Sequence, residues 1–157
     1  MKIKLAITAI VICLSAFVSS AQDADKAAID RFITAQAKHE HAEEYPDARK
    51  VVTGDLNGDG VAETVVLYTI EGQDGGNNHI QYLAVFTRAN RQLVHLTHTP
   101  VGGKTSRGVE LDSITSGLIN LTTMSFAKND PACCPTLKGR AWYKLALGKL
   151  VAVRSRK

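Results

Sequence analysis

Apolar positions along this chain change their period once. Between Asp23 and about Tyr45, Ile29, Phe32, Ile33 and Gln36/Ala37 recur at i, i+3, i+4 and i+7, with Asp30, Arg31, Lys38 and Glu40 to the outside. That spacing puts one apolar stripe on a helix. Asp23 or Asp25 can cap its start. Pro46 is expected to stop it near Glu44, because a residue before proline avoids the helical region. After Pro46 the period falls to two and β-branched residues dominate. Strands are expected near 49–54, 62–70, 79–88, 92–98, 108–113, 117–124, 139–146 and 149–154. Asp74-Gly75-Gly76-Asn77, Ala89-Asn90, Gly102-Gly103, Ser116-Gly117 and Leu147-Gly148 mark turns between them. Connections this short favour antiparallel neighbours, since a parallel crossover needs about a dozen residues or more. The expected fold is α+β: an N-terminal helix packed on one face of a curled, mainly antiparallel β-sheet in meander order, forming a single domain over residues 22–157.

The first residues follow a different logic. Lys2 and Lys4 precede an apolar run from Leu5 to Val18, and Ser19, Ser20 and Ala21 come next. A basic start, a short apolar core and small residues before a cut describe a secretory signal peptide over residues 1–21, cleaved between Ala21 and Gln22. The run is shorter than the ~20 residues of a membrane span. Ile12, not a small residue, precedes Cys13, so a lipid-attachment cut is not expected. The expected product is a monomer in the periplasm or outside the cell, with no membrane span after cleavage.

Composition supports a folded product. At 45% hydrophobic and 22% charged residues, the 157-residue chain is too apolar and too weakly charged to be disordered. Cleavage removes two of the 19 basic side chains and none of the 15 acidic ones, which halves the surplus of +4. A surplus that small makes no electrostatic case for nucleic acid.

Candidate chemistry is concentrated in two places. In Gly54-Asp55-Leu56-Asn57-Gly58-Asp59-Gly60-Val61-Ala62-Glu63, oxygen side chains recur at every second position and Gly60 follows the third. Ca²⁺ takes six to eight oxygens, so a short loop must wrap around it. Asp55, Asn57 and Asp59 can point inward on such a turn, with the Val61 carbonyl and Glu63 completing the ring. Oxygen donors of this kind suit a hard cation and would serve zinc poorly. The other reading is a solvated Asx-rich turn with no ion. A helix–loop–helix hand is excluded, because Val66 stands where its bidentate Glu is required and a strand follows.

Cys133 and Cys134 sit side by side, flanked by Pro131 and Pro135. In an oxidising compartment thiols tend to pair, and no third cysteine survives cleavage. A bridge between the two neighbours is the expectation, over a bond to another chain or free thiols. Neighbouring Cα atoms lie ~3.8 Å apart, against ~4.4–6.8 Å in ordinary disulfides, so such a bridge is expected to be reducible. Its role is either to lock a loop or to act as a redox switch.

The acidic loop resembles the Asp-x-Asn-x-Asp-Gly loops of integrin-type and FG-GAP/VCBS-like extracellular repeats, although those carry the loop many times and this chain carries it once. The order of that loop, Tyr82-Leu83-Ala84-Val85-Phe86, Asp130-Pro131-Ala132-Cys133-Cys134-Pro135 and Ala141-Trp142-Tyr143 is similar to a group of small exported bacterial proteins of LppP/LprE type. The resemblance spans most of residues 45–153 and implies no established activity. This chain departs from those lipoproteins in lacking a lipid-attachment cysteine.

Other motifs fail on spacing. Gly102-Gly103-Lys104-Thr105 lacks the first glycine of a phosphate loop, since His98 occupies that position. Lys104 and Arg107 are expected at a solvated hairpin tip. His39 and His41 do not share a helix face, and His95 and His98 are expected on opposite faces of their strand. Of Trp142 and Tyr143, one should enter the core. No nucleophile–base set is present, so no enzyme is expected. The sequence therefore points to an exported, non-catalytic module that is stabilised by Ca²⁺ and binds an envelope component or another protein. A thiol-dependent redox or soft-metal responder built on Cys133 and Cys134 is the alternative.

Overall fold

The structure, a computed structural model, describes residues 3–154, with side chains from Ala21 onward. Helix α1 spans Ile3–His39. The expected leader over 1–21 falls almost wholly on residues whose side chains lie outside the described set. No helix among the described residues is long and apolar enough to cross a membrane.

Strands β1 (Glu43–Glu44), β2 (Lys50–Gly54), β3 (Glu63–Glu71), β4 (His79–Ala89), β5 (Gln92–Gly103), β6 (Arg107–Thr115), β7 (Leu118–Ser125), β8 (Leu137–Ala146) and β9 (Lys149–Val153) form one nine-stranded sheet. From β3 to β9 each strand pairs with the next in sequence, and β1 and β2 both pair with β3. Every pairing is antiparallel. The architecture is α+β, with one helix on a mostly β framework. The sheet bends so that β2 touches β6 and β5 touches β9, without closing.

Two cores share the central strands. Ile29, Ile33 and Ala37 of α1 pack on Val66, Tyr68, Ile70, Tyr82, Ala84 and Phe86. On the opposite face Val65, Leu67, Leu83 and Val85 meet Val109, Leu111, Ile119, Leu121 and Tyr143 from the curled half. Tyr143, and not Trp142, enters the core, as alternation along β8 requires. Burying both faces of β3 has a cost: Tyr68 Oη is buried without a hydrogen-bond partner among the described residues, which costs about 1–3 kcal/mol.

The helix ends earlier than Pro46 suggests. His41 takes the left-handed conformation at φ 51°. The Ala42 N–H then donates to Ala37 O at 3.0 Å and the His41 N–H to Lys38 O at 3.2 Å. This is a Schellman stop, usually built on glycine. The residues it releases form β1, and Arg49 straps them to the helix by donating to Glu44 (2.6 and 2.7 Å) and Asp30 (2.5 Å).

Between β5 and β6 the ladder nearly fails, with Gly103 and Arg107 the one paired position. A side chain takes over. Gln81 Nε2 donates to Val109 O at 3.0 Å, and Gln81 Oε1 accepts from Val109 N–H at 2.7 Å. Gly102 lets it pass: a Cβ there would stand 2.6 Å from Arg107 O and 2.8 Å from Gln81 Oε1. Gln81→Ala leaves a buried N–H and C=O unpaired and should destabilise the fold by about 2–3 kcal/mol in urea denaturation. A change below about 0.5 kcal/mol would be that of an ordinary surface substitution and would contradict the bridging role.

Candidate functional site

The acidic loop is the hairpin connection between β2 and β3, closed by the pair Gly54 and Glu63. Gly58 and Gly60 adopt φ of 81° and 83°, which lets the chain turn twice within it. The loop is seated on the turn between β6 and β7. A Cβ on Gly54 would press on Ile114 at 2.8 Å, and one on Gly117 would approach Leu56 O at 3.3 Å. Leu56 points down into the core.

The expected ligands are held as follows. Asp55 Oδ1 accepts from the N–H groups of Asn57 (3.2 Å) and Gly58 (2.6 Å), and Oδ2 accepts from Gly60 N–H (2.9 Å). These amides, Gly60 first, hold the Asp55 carboxyl below the usual carboxylate range. Asn57 Oδ1 accepts from Asp59 N–H at 2.9 Å, and Asp59 Oδ1 accepts from Val61 N–H at 2.7 Å. Asn57 Nδ2 lies between two carboxylates, 2.9 Å from Asp59 Oδ2 and 3.5 Å from Glu63 Oε1. Glu63 Oε2 accepts from Leu56 N–H at 2.9 Å. The Val61 side chain is exposed, and its part in the site is through its backbone.

Glu63 is the unusual member. Its side chain is only 1% exposed, because it opens a strand that is buried on both faces. Among the described residues none of Asp55, Asp59 and Glu63 forms an ion pair with Lys or Arg. A buried carboxylate without a cationic partner is costly. The Asn57 amide bridges Asp59 and Glu63 with a positive dipole, where a hard cation would supply a full charge. The donor set is all oxygen and fits such an ion. Among the described residues, no three His, Cys, Asp or Glu side chains already stand at metal-holding distance. Asp55 remains occupied by the backbone.

Cys133 and Cys134 stand at disulfide distance from each other, with Cα atoms 3.8 Å apart. Both are exposed, in the loop joining β7 to β8. Asp130 organises that loop, a role the sequence reading did not assign. Its carboxylate accepts from Ala127 N–H (2.7 Å), Thr136 N–H (2.8 Å) and Thr136 Oγ1–H (2.9 Å). The thiol loop and the acidic loop lie at opposite ends of β7, beyond Ser125 and Leu118. Among the described residues no ion pair joins them.

The histidines need a correction. His95 and His98 stand together, with ring centroids 5.2 Å apart, and Phe32 of α1 stacks on His95 at 3.9 Å. A β-bulge separates them: His95 pairs with Phe86 and Thr97 with Val85, so Leu96 is an extra residue that resets the alternation. Burial pushes both imidazoles below their ordinary pKa, and His98 adds to the effect on His95. Arg107 is not merely solvated either: it donates to Val101 O at 2.9 Å and to Tyr143 Oη at 3.3 Å.

Comparison of the chain with protein-family models, with curated proteins and with solved structures finds no match. Its residues have to be read from their own geometry.

The Ala127 and Thr136 donors hold the Asp130 carboxyl below the usual range. Its hold on the loop is therefore complete above the ordinary carboxylate pKa and fades as pH falls through the lowered folded value. The Thr136 amide resonance should move only in that acid window. At neutral pH, Asp130→Ala should speed phosphine reduction of the Cys133–Cys134 bond several-fold with little change in melting temperature. Equal reduction rates in the two proteins would contradict the role given to Asp130.

Proposed function

We propose that the chain is an exported, non-catalytic binding module, periplasmic or secreted after loss of residues 1–21, that engages an envelope component or another protein. In this reading Asp55, Asn57, Asp59, Val61 and Glu63 hold Ca²⁺, which stiffens the module and takes no part in a reaction. The observation that carries it is the buried Glu63 carboxylate, which shares its loop with two further carboxylates and has no cationic partner among the described residues. The likeness to small exported LppP/LprE-type proteins is in keeping with the same role. A monomer with little surplus charge leaves no reason to invoke nucleic acid.

Extracellular calcium modules bind with dissociation constants on the order of 10⁻⁴–10⁻³ M. An ion that binds only the folded state stabilises it by RT ln(1 + [L]/Kd), so roughly 1 mM Ca²⁺ should add up to about 1.4 kcal/mol. A thermal melt with Ca²⁺ and with chelator measures this, and Asp59→Ala should abolish the difference. Identical melting temperatures with and without Ca²⁺ would reject the ion site.

A thiol-dependent redox or soft-metal responder is a second reading, favoured by the exposure of both cysteines. Purified exported protein should show no free thiol and the mass of a disulfide-bonded monomer. Cys133→Ser should leave Cys134 free and promote disulfide-linked dimers. Partner capture from an envelope extract decides between the two readings. A binding module keeps its partner after reduction, whereas a responder loses its activity with the fold intact.

A further inference from the structure

The sheet's incomplete closure leaves an open cleft of about 860 Å³ between β2 and the β6–β7 hairpin. It exists because β2 is an edge strand that approaches β6 without hydrogen-bonding to it. Leu67, Val109 and Leu111 form its floor, and half-buried Ala48 and Met124 line its sides. Polar side chains, Gln81, Thr122 and Thr123 among them, share the walls, and an apolar floor with polar groups around it is the usual form of a small-molecule site.

Two cations border it, Lys50 and Lys138, and Lys50 is the one on the side of the apolar floor. Lys50 pairs directly with Leu67 across the β2–β3 ladder, and opposed residues point to the same face of a sheet. Lys50 therefore rises on the core side, over the apolar floor. Among the described residues it has no carboxylate partner. Glu110 and Lys138 also border the cleft; both are exposed, and with Met124 they stand on the alternate positions of β6, β7 and β8, at the rim beyond the face of Val109 and Leu111. An inward lysine on an edge strand also discourages edge-to-edge association, a role that any charge would fill.

We propose that this cleft binds an anionic amphiphile, an aliphatic carboxylate whose chain lies between Ala48 and Met124 over the Leu67–Val109–Leu111 floor and whose head meets Lys50. The proposal rests on the reading of the chain as a binding module and gives that module a site and a ligand class. It does not involve the acidic loop or the thiols.

Calorimetric titration of the purified protein tests it, with dodecanoate as the probe beside a neutral alkyl glucoside of the same chain length. Dodecanoate should bind saturably at one site and more tightly than the glucoside. Lys50→Glu keeps a charge on the edge strand but reverses its sign, and should weaken dodecanoate about tenfold or more, as loss of a charge-assisted contact does. Ala48→Trp, at a half-buried position on the wall, should abolish binding of both probes while the melting temperature stays near that of the parent. Absence of saturable dodecanoate binding would overturn the proposal. So would equal affinity for the two probes with no effect of Lys50→Glu. Stabilisation by Ca²⁺, measured on the same samples, reports on the calcium reading separately, so either can fail alone.

Discussion

The burial of β3 on both faces is the constraint from which the rest of this structure follows. One side of the strand, through Val66, Tyr68 and Ile70, needs α1 to cover it. The other side, through Val65 and Leu67, needs the far half of the sheet to fold back over it. A flat meander would leave that second face in water. At about 25 cal/mol per Å² of apolar surface, covering it gives the strongest drive for the curl. The curl brings β6 against β2 and seats the β2–β3 loop on the β6–β7 turn.

Site and fold meet at Glu63. It is the first residue of β3, so the strand's burial extends to a carboxylate that water would otherwise solvate. Its partners are the Leu56 amide and the Asn57 side chain, both in the acidic loop. Ordering the loop and satisfying Glu63 are thus one event. The thiol loop is governed differently. Asp130 ties it locally to Ala127 and Thr136, and no core residue depends on it. One loop is joined to the core through Leu56 and Glu63, while the residues of the other stand outside both core clusters.

What was legible in the sequence was local. The β-branched runs and glycine turns place eight of the strands, although β5 runs on to Gly103, past its expected end at 98 and through the Gly102-Gly103 pair expected to turn; the i, i+3, i+4, i+7 stripe places the buried face of α1. The alternation of Asp55, Asn57 and Asp59 marks the acidic loop for the same reason. What escaped depended on contacts distant in sequence or on unusual backbone. His41 stops the helix without the glycine that normally signals a stop, so β1 was hidden inside an expected helix. The bulge at Leu96 moves His98 to the face of His95, which strict alternation cannot anticipate. Gln81 replaces missing ladder bonds on β6, and only the folded topology reveals that partner. The continuous apolar run from Val65 to Tyr68 does hint at a strand buried on both faces, and with it at the burial of Glu63.

Native-state amide hydrogen exchange, followed with and without Ca²⁺, tests the dependence of the loop on the central strand most directly. If Glu63 joins the two, the Leu56 amide and the β3 amides of Val65 to Ile70 should open together as one of the most protected units of the protein. Ca²⁺ should then slow both by the same factor. Rapid exchange at Leu56 beside slow exchange in β3, with Ca²⁺ leaving β3 unchanged, would contradict the account.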